Sequence, residues 1–194
     1  MEQPRVLTAS AESPEKVMAI LLLAFSADPF ARWVMSDADN YIKHYRRFIY
    51  ALGGRAFEHN AAFFLDDYSA AALWLPPGVS SDENLIASMI QEIVPEELLG
   101  PLVMLDEELK KYHPEVCWYL STLGVDIKMQ GSGRGALIMR EQMRVCDESS
   151  SIAYLESSNP ANRPFYERYG FEAMGEINVG NPATMTPMIR YPRG

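Results

Sequence analysis

The stretch Gln130-Gly131-Ser132-Gly133-Arg134-Gly135-Ala136 constrains this chain more than any other. It follows an apolar, strand-like run, Cys117-Trp118-Tyr119-Leu120-Ser121-Thr122-Leu123, and opens a helix-like run that ends near Cys146. Glycine takes positive φ and lets the backbone approach a ligand without Cβ interference. The first turn of the helix leaves N–H groups without intrahelical partners, and the helix dipole adds positive charge at the same end. The turn therefore reads as a seat for a pyrophosphate, with Arg134 placed to add a charged donor. After the helix comes a second strand-like run, Ala153-Tyr154-Leu155-Glu156. Strand, turn, helix and strand make a βαβ unit, whose two strands run parallel.

The remainder of the chain predicts a mixed sheet. Arg5–Thr8 reads as a first strand, and Ser13-Pro14 as the N-cap and first-turn proline of a helix running towards Ala27. Ala27-Asp28-Pro29-Phe30 breaks that helix, and a second covers Asn40 to about Leu52, with Gly53-Gly54 near its end. Ala61–Leu65 and Ala70–Leu75 form a hairpin joined at Asp66-Asp67-Tyr68-Ser69. Two helical patterns lie between Ser81 and Lys111, the first capped by Ser81 or Asp82, the second opened by Pro95-Glu96-Glu97. A short helix over Pro164–Tyr169, stopped by Gly170, precedes the strand candidates Glu172–Ile177 and Met185–Tyr191. Pro187 makes the last of these an edge or broken strand. The expected fold class is α+β: one domain over residues 1–194, with a helical insertion at about 81–111 that serves as a lid or as an oligomer contact.

Charge and cysteine usage remove several functions. A net charge of −9 argues against nucleic acid as a partner, since such binders carry a basic face. The same charge suits a cationic small substrate or plain solubility. Cys117 and Cys146 stand apart with no CxxC or Cys/His cluster, so no metal is expected and both read as reduced, buried thiols. Met1-Glu2-Gln3-Pro4 lacks the basic start of a secretory leader, and Ile20–Phe25 is too short to cross a bilayer. The expectation is a cytoplasmic protein with no membrane partner.

The C-terminal third resembles the GCN5-related N-acetyltransferases, the GNAT superfamily. Their signature, a hydrophobic strand followed by Q/R-x-x-G-x-G/A, is matched by Leu123-Gly124-Val125 leading into Gln130-x-x-Gly133-x-Gly135-Ala136. A second match is Asn159-Pro160 followed by Asn162-Arg163-Pro164-Phe165-Tyr166-Glu167-Arg168-Tyr169-Gly170-Phe171, like the family's terminal helix. Ala24–Pro29 and Tyr154–Phe171 look like the branch that contains puromycin N-acetyltransferase. The resemblance implies a mixed central β-sheet flanked by helices, with a splayed parallel strand pair forming the acyl-CoA cleft. It implies acetyl-CoA or another acyl-CoA as co-substrate; a small-molecule amine is the expected acceptor, with lysine or a protein N-terminus, and a homodimer, left open. The backbones of Leu123 and Val125 would pair with the pantetheine arm as an added strand. Amides of Gly131, Ser132, Gly133, Arg134, Gly135 and Ala136 would hold the pyrophosphate, flanked by Gln130 and Arg134. Asn159 and Asn162 would touch the donor near the helix that carries Tyr166.

Within that frame Tyr166 is the candidate general acid, because a phenol stays protonated at neutral pH. Glu156, at the carboxyl end of its strand, is the candidate base, acting directly or through water. Each has a plainer alternative, Tyr166 as core packing and Glu156 as a solvated strand end. His44, His59 and His113 form no motif with one another or with a nucleophile. Asp28, Phe30 and Trp33, in the break between the first helices, are the candidate acceptor residues, two aromatic faces and a carboxylate suited to a cationic amine. Two rival readings remain: a non-catalytic acyl-CoA-binding module, and a dinucleotide-binding protein, since Gly131-x-Gly133-x-x-Ala136 also satisfies G-x-G-x-x-G/A.

Overall fold

The computed structural model describes residues 3–11, 14–180 and 184–193. Eight strands among these residues form one sheet system in the order β1-β2-β3-β4-β5-β8-β6, with β7 also paired to β8. Strands β1 (Val6–Thr8), β2 (Ala62–Leu65), β3 (Ala70–Leu75) and β4 (Trp118–Val125) pair successively and antiparallel with one another. β4 pairs β5 (Ala153–Ser157) in parallel, as the βαβ signature requires, and β8 (Thr184–Arg190) returns antiparallel to β5. Among the described residues only one strand pair is parallel, so this is not the doubly wound sheet of a dinucleotide-binding fold.

The helices cover both faces of the sheet. A Cβ on Gly124 would lie 2.6 Å from Ala24 Cβ at the end of α1 (Glu15–Ala24), so only glycine admits that helix. The next strand residue, Val125, meets Gly135 of α6 (Arg134–Glu148) instead. Successive side chains of a strand point to opposite faces, which places α1 and α6 on opposite sides of β4. β3 runs between them as Ala70-Ala71-Ala72-Leu73-Trp74-Leu75, buried throughout. α3 (Ala38–Gly53) packs beside α1, and its Gly53 comes close to Ser121 and Leu73.

Local chemistry accounts for most boundaries. Asp28, Asp37 and Asp82 each accept a backbone N–H at the start of α2 (Pro29–Val34), α3 and α4 (Glu83–Ile93). Ser13, the cap expected for α1, lies outside the described residues. The helical insertion consists of α4 and α5 (Glu96–Lys110). A short α7 (Arg163–Glu167) precedes β6 (Glu172–Ala173) and β7 (Ile177–Asn178), so the single strand expected over Glu172–Ile177 is two.

Pro187 corrects a second expectation. β8 is an unbroken interior strand, with β5 on one side and β6 and β7 on the other. The carbonyl of Pro187 accepts from Met174 N–H at 2.9 Å, on the side where the partner strand is interrupted between β6 and β7. A residue of an antiparallel strand points its N–H and C=O the same way. The missing donor of proline therefore falls opposite a gap, and the neighbour breaks instead of β8.

Arg190 fastens this end of the sheet. Its side chain is 3% exposed and donates to Tyr169 O and Asp147 Oδ2, both at 2.8 Å, joining β8 to α6 and the end of α7. Cys117 and Cys146 are free and buried, and burial pushes their thiols up to about 12 and about 11. Thiols so raised are inert at neutral pH.

Candidate active site

The site begins where β4 and β5 part. Parallel pairing runs Trp118↔Ala153, Tyr119↔Tyr154, Leu120↔Leu155 and then stops. At the same point the register of β4 against β3 jumps from Leu120↔Trp74 to Thr122↔Leu73, so Ser121 is an extra residue. Such a bulge bends its strand and raises the local twist. Beyond it β4 stays paired only to β3. Asp126 N–H goes to Ser69 O on the β3 side at 2.8 Å. By alternation, the N–H and C=O groups of Leu123 and Val125 face the other way, towards the space β5 has left.

That space widens into a cleft of about 720 Å³. Its floor comes from the bulged part of β4 and from Leu155, Glu156 and Ser157 of β5. Phe25, Asp28 and Phe30 close one side, and the insertion supplies a wall through Ile86 and Ile90 of α4 and Leu102 and Leu105 of α5. Leu105 also packs on Ile177 and Met185, which ties α5 to the far end of the sheet. Six of the sequence candidates, Asp28, Phe30, Leu123, Glu156, Asn162 and Tyr166, meet in this cleft.

Glu156 sits on the first β5 residue past the parallel pairing. Its two oxygens accept from Tyr119 Oη at 3.1 Å and Tyr154 Oη at 3.2 Å. Burial raises its proton affinity above the ordinary glutamate range, against the pull of the two hydroxyls. Asp28 is raised for the same reason; one oxygen caps α2 through Ala31 N–H at 2.9 Å and the other accepts from Ser158 Oγ at 2.8 Å. Tyr166 is 8% exposed, and burial, followed by the charge of Asp28, lifts its hydroxyl well above an ordinary phenol. It is thus held in the proton-carrying form. The cleft lining carries Asp28, Glu83, Asp106, Glu115 and Glu156 against Lys110, and Lys110 is paired to Asp106 at 2.6 Å.

The glycine turn lies past the far end of β4 and does not line the cleft. Gly131 and Gly133 hold φ +74° and +84°, and a Cβ at either would meet nothing within 4 Å. The first intrahelical bond of α6 runs from Leu137 N–H to Gly133 O, leaving the amides from Gly133 to Ala136 without an intrahelical partner, while Ser132 N–H is spent on Met129 O at 3.3 Å. Arg134 is tied down, its guanidinium reaching Ser69 Oγ at 3.0 Å, Ser132 Oγ at 2.9 Å and Asp67 Oδ2 at 3.3 Å. Gln130 reaches back to Val125 O at 3.5 Å, and Phe165 of α7 packs on Gly135.

Two candidates lie elsewhere. Trp33 is not in the cleft lining; its indole leans on Phe30 and covers Gly180. Asn159 caps the turn before α7 through Ala161 N–H at 3.0 Å. Sequence reasoning missed Tyr119, Tyr154 and His113, whose ring lies 5.2 and 4.7 Å from those of the two tyrosines. The spacing Tyr154-x-Glu156 was a usable signal, since residues two apart share a strand face. Tyr119 needed the register of the parallel pair.

A family model described as an acetyltransferase (GNAT) domain matches residues 102–191, which span α5 through β8 and contain the strand split, the glycine turn and Tyr166. This stretch, a little under half of the chain, is similar to the GNAT superfamily. N-terminal to the matched residues lie β1, α1–α3, the β2–β3 hairpin, α4 and the start of α5. An uncharacterized N-acetyltransferase of Schizosaccharomyces pombe is 28% identical over 142 residues, covering 65% of this chain. The chain spans 58% of that protein's length. Among solved structures, a histone acetyltransferase HPA2-related protein of Corynebacterium glutamicum superposes with a TM-score of 0.68 at 21% identity, covering 100% of this chain and 98% of that one. A polyamine N-acetyltransferase of Drosophila melanogaster that forms N-acetylagmatine gives a TM-score of 0.69 at 13% identity, covering 97% and 100%. At these identities the structural likeness speaks for the fold.

Proposed function

We propose that this protein is an N-acetyltransferase that moves an acetyl group from acetyl-CoA to a small primary amine. The observation that carries the reading is the unpaired edge of β4 at Leu123 and Val125, which joins an acidic cleft at one end to a glycine turn with free amides at the other. These parts fit the donor: an extended arm can add to a strand edge, and a pyrophosphate can sit at a helix N-terminus whose glycines leave room. Leu123 and Val125 would hold the arm, and the amides from Gly131 to Ala136 the pyrophosphate. Gln130 and Arg134 shape the turn, with Asn159 and Asn162 near the donor's other flank.

Acetyl-CoA, when bound, supplies the thioester. Asp28 and Phe30 line the space for a cationic amine, and Trp33 supports Phe30 from behind. Glu156 takes a proton from the attacking ammonium, directly or through water; its raised proton affinity suits that task. A β4 amide facing the cleft receives the charge that develops on the carbonyl oxygen, a role worth roughly 3–4 kcal/mol of barrier. Tyr166 gives its hydroxyl proton to the departing sulfur. The Drosophila enzyme's product, N-acetylagmatine, and the negative lining both support a cationic acceptor.

Thermal unfolding with acetyl-CoA, NADP and ATP in parallel tests the donor. At about 100 times its Kd a ligand adds ~2.7 kcal/mol, a rise of roughly 5–11 °C in a chain of this size. Acetyl-CoA alone should give it. Thiol release with a panel of amines, agmatine among them, then tests catalysis. A rise with acetyl-CoA but no thiol release from any amine would leave the non-catalytic acyl-CoA-binding module; a rise with NADP alone would overturn the donor.

A further inference from the structure

We propose that Tyr119 and Tyr154 act as positioning residues for Glu156, a pair of hydroxyls that grips both carboxylate oxygens at the point where the two parallel strands separate. The role in turnover rests on the acetyl-transfer reading above; the grip itself does not. An ionised carboxylate only accepts hydrogen bonds, so both phenols must donate to it. The bonds, 3.1 Å from Tyr119 and 3.2 Å from Tyr154, go to different oxygens. A carboxylate offers about four acceptor sites, so two remain for a substrate proton.

Strand geometry fixes the grip. Tyr154 shares a face of β5 with Glu156, two residues on, and Tyr119 stands directly opposite Tyr154 in the parallel register. One pair further along, at Leu120↔Leu155, the pairing ends. The tyrosines are thus anchored in closed sheet while the carboxylate projects into the opening. His113 braces the rings, lying edge-on to both. Its Nδ1 is 2.9 Å from Pro114 O, where it donates and fixes the ring plane.

The groups facing Glu156 act in opposite directions. Burial and the charge of Asp106 on α5 disfavour the carboxylate, with Lys110 paired to Asp106 at 2.6 Å; the hydroxyls of Tyr119 and Tyr154 favour it. Cys117, with its thiol pushed up, stays neutral beside them. Among the described residues these two donors are the groups that offset burial. Without them the proton affinity of Glu156 would rise further, and a carboxyl that keeps its proton cannot accept another.

The test uses Tyr119→Phe and Tyr154→Phe, which delete one hydroxyl each and keep the ring against His113. Protein labelled with carbon-13 at the glutamate carboxyls reports the titration of Glu156 directly, its signal assigned by loss in Glu156→Gln. The midpoint should move upward in each single variant and furthest in the double. With agmatine and acetyl-CoA, kcat/KM on the acid side should fall about tenfold per hydroxyl. The acid limb should shift in the same direction, with the KM for acetyl-CoA unchanged. An unmoved midpoint in both single variants overturns the grip. A moved midpoint with an unmoved pH–rate profile in an active enzyme overturns the positioning role. Wild-type protein that binds acetyl-CoA but acetylates no amine overturns the functional reading instead, and the carboxyl titration still decides the grip.

Discussion

The two ends of the β4 edge are built from different materials. Towards the glycine turn, recognition is offered by backbone: the N–H and C=O groups of Leu123 and Val125 and the free amides that open α6. Those atoms lie within 14 residues of one another, from Leu123 to Ala136. Towards the cleft it is offered by side chains from segments far apart in the chain, Asp28 before α2, Tyr119 on β4, Glu156 on β5 and Tyr166 on α7. A backbone site tolerates most side-chain changes but not an added Cβ at the wrong φ. A side-chain site shows the reverse sensitivity. The difference also assigns variation: a cofactor common to many enzymes suits the invariant backbone, and the acceptor suits replaceable side chains.

The largest effect expected from this division is on Glu156. Glu156→Gln keeps the shape and removes the proposed base, and turnover should fall about 10³-fold, within the range for general bases. Donor-induced thermal stabilisation should not change. Stability gives a second reading. Burial raises the proton affinity of Glu156 in the folded state. A group raised in this way contributes stability that is full below the ordinary glutamate value, about 4.3, and lost as pH rises through the folded value. Above that folded value the wild-type protein carries a buried charge that the glutamine does not. Unfolding scans should place Glu156→Gln at or above wild type at pH 7, with the gap closing in acid. A loss of stability together with activity would make Glu156 a structural residue and erase the contrast between the two ends.

Tyr166→Phe comes next. Loss of a general acid should lower turnover about 10²-fold. Its ring packs on Phe165 and Phe171, and the phenylalanine preserves both contacts, so folding is expected to be unaffected. A leaving group that needs no proton, tested with an activated thioester of low thiol pKa, should recover most of the loss. No recovery would move the role of Tyr166 from proton donor to packing.

How much of this was legible in the sequence follows the same division. The βαβ unit, the mixed sheet and the glycine turn could be read because their signals are local: positive-φ residues, an apolar run and a helix that starts at once. Tyr154 and Glu156 share a face by spacing alone. Ser121 carried no mark of a bulge, since nothing in Leu120-Ser121-Thr122 differs from ordinary strand, and the splay depends on its pairing with β3. Pro187 was read as an edge because proline lacks a donor; the structure meets that requirement by breaking the partner strand between β6 and β7. The apolar faces of α4 and α5 were visible, but which surface they wall is decided by contacts such as Leu105 with Met185 across 80 residues of chain.

Gly133→Ala sharpens the comparison from the backbone side. Gly133 holds φ +84° with open space where a Cβ would go, so the substitution introduces backbone strain and no clash. A left-handed conformation costs a residue with Cβ roughly 1–2 kcal/mol. Relaxation of the turn to escape that strain should weaken acetyl-CoA binding about tenfold in calorimetry, with kcat at saturating donor close to wild type. A fall in kcat at unchanged affinity would mean that the turn serves the chemistry and not the grip on the donor.

Gln130→Ala should have the smallest effect, although Gln130 opens the motif. Its amide reaches Val125 O at 3.5 Å, the long limit of a hydrogen bond, and it is exposed. The α6 amides and the strand edge keep their geometry without it, because Asp126 N–H to Ser69 O and Arg134 to Asp67 and Ser69 hold the turn independently. Freed from Gln130, the carbonyl of Val125 also becomes fully available to a partner on the open edge. Donor affinity should therefore change by about threefold or less, in line with the loss of one weak neutral hydrogen bond. A loss of more than about tenfold would show that the side chain itself grips the donor, and the turn would no longer be a purely backbone site.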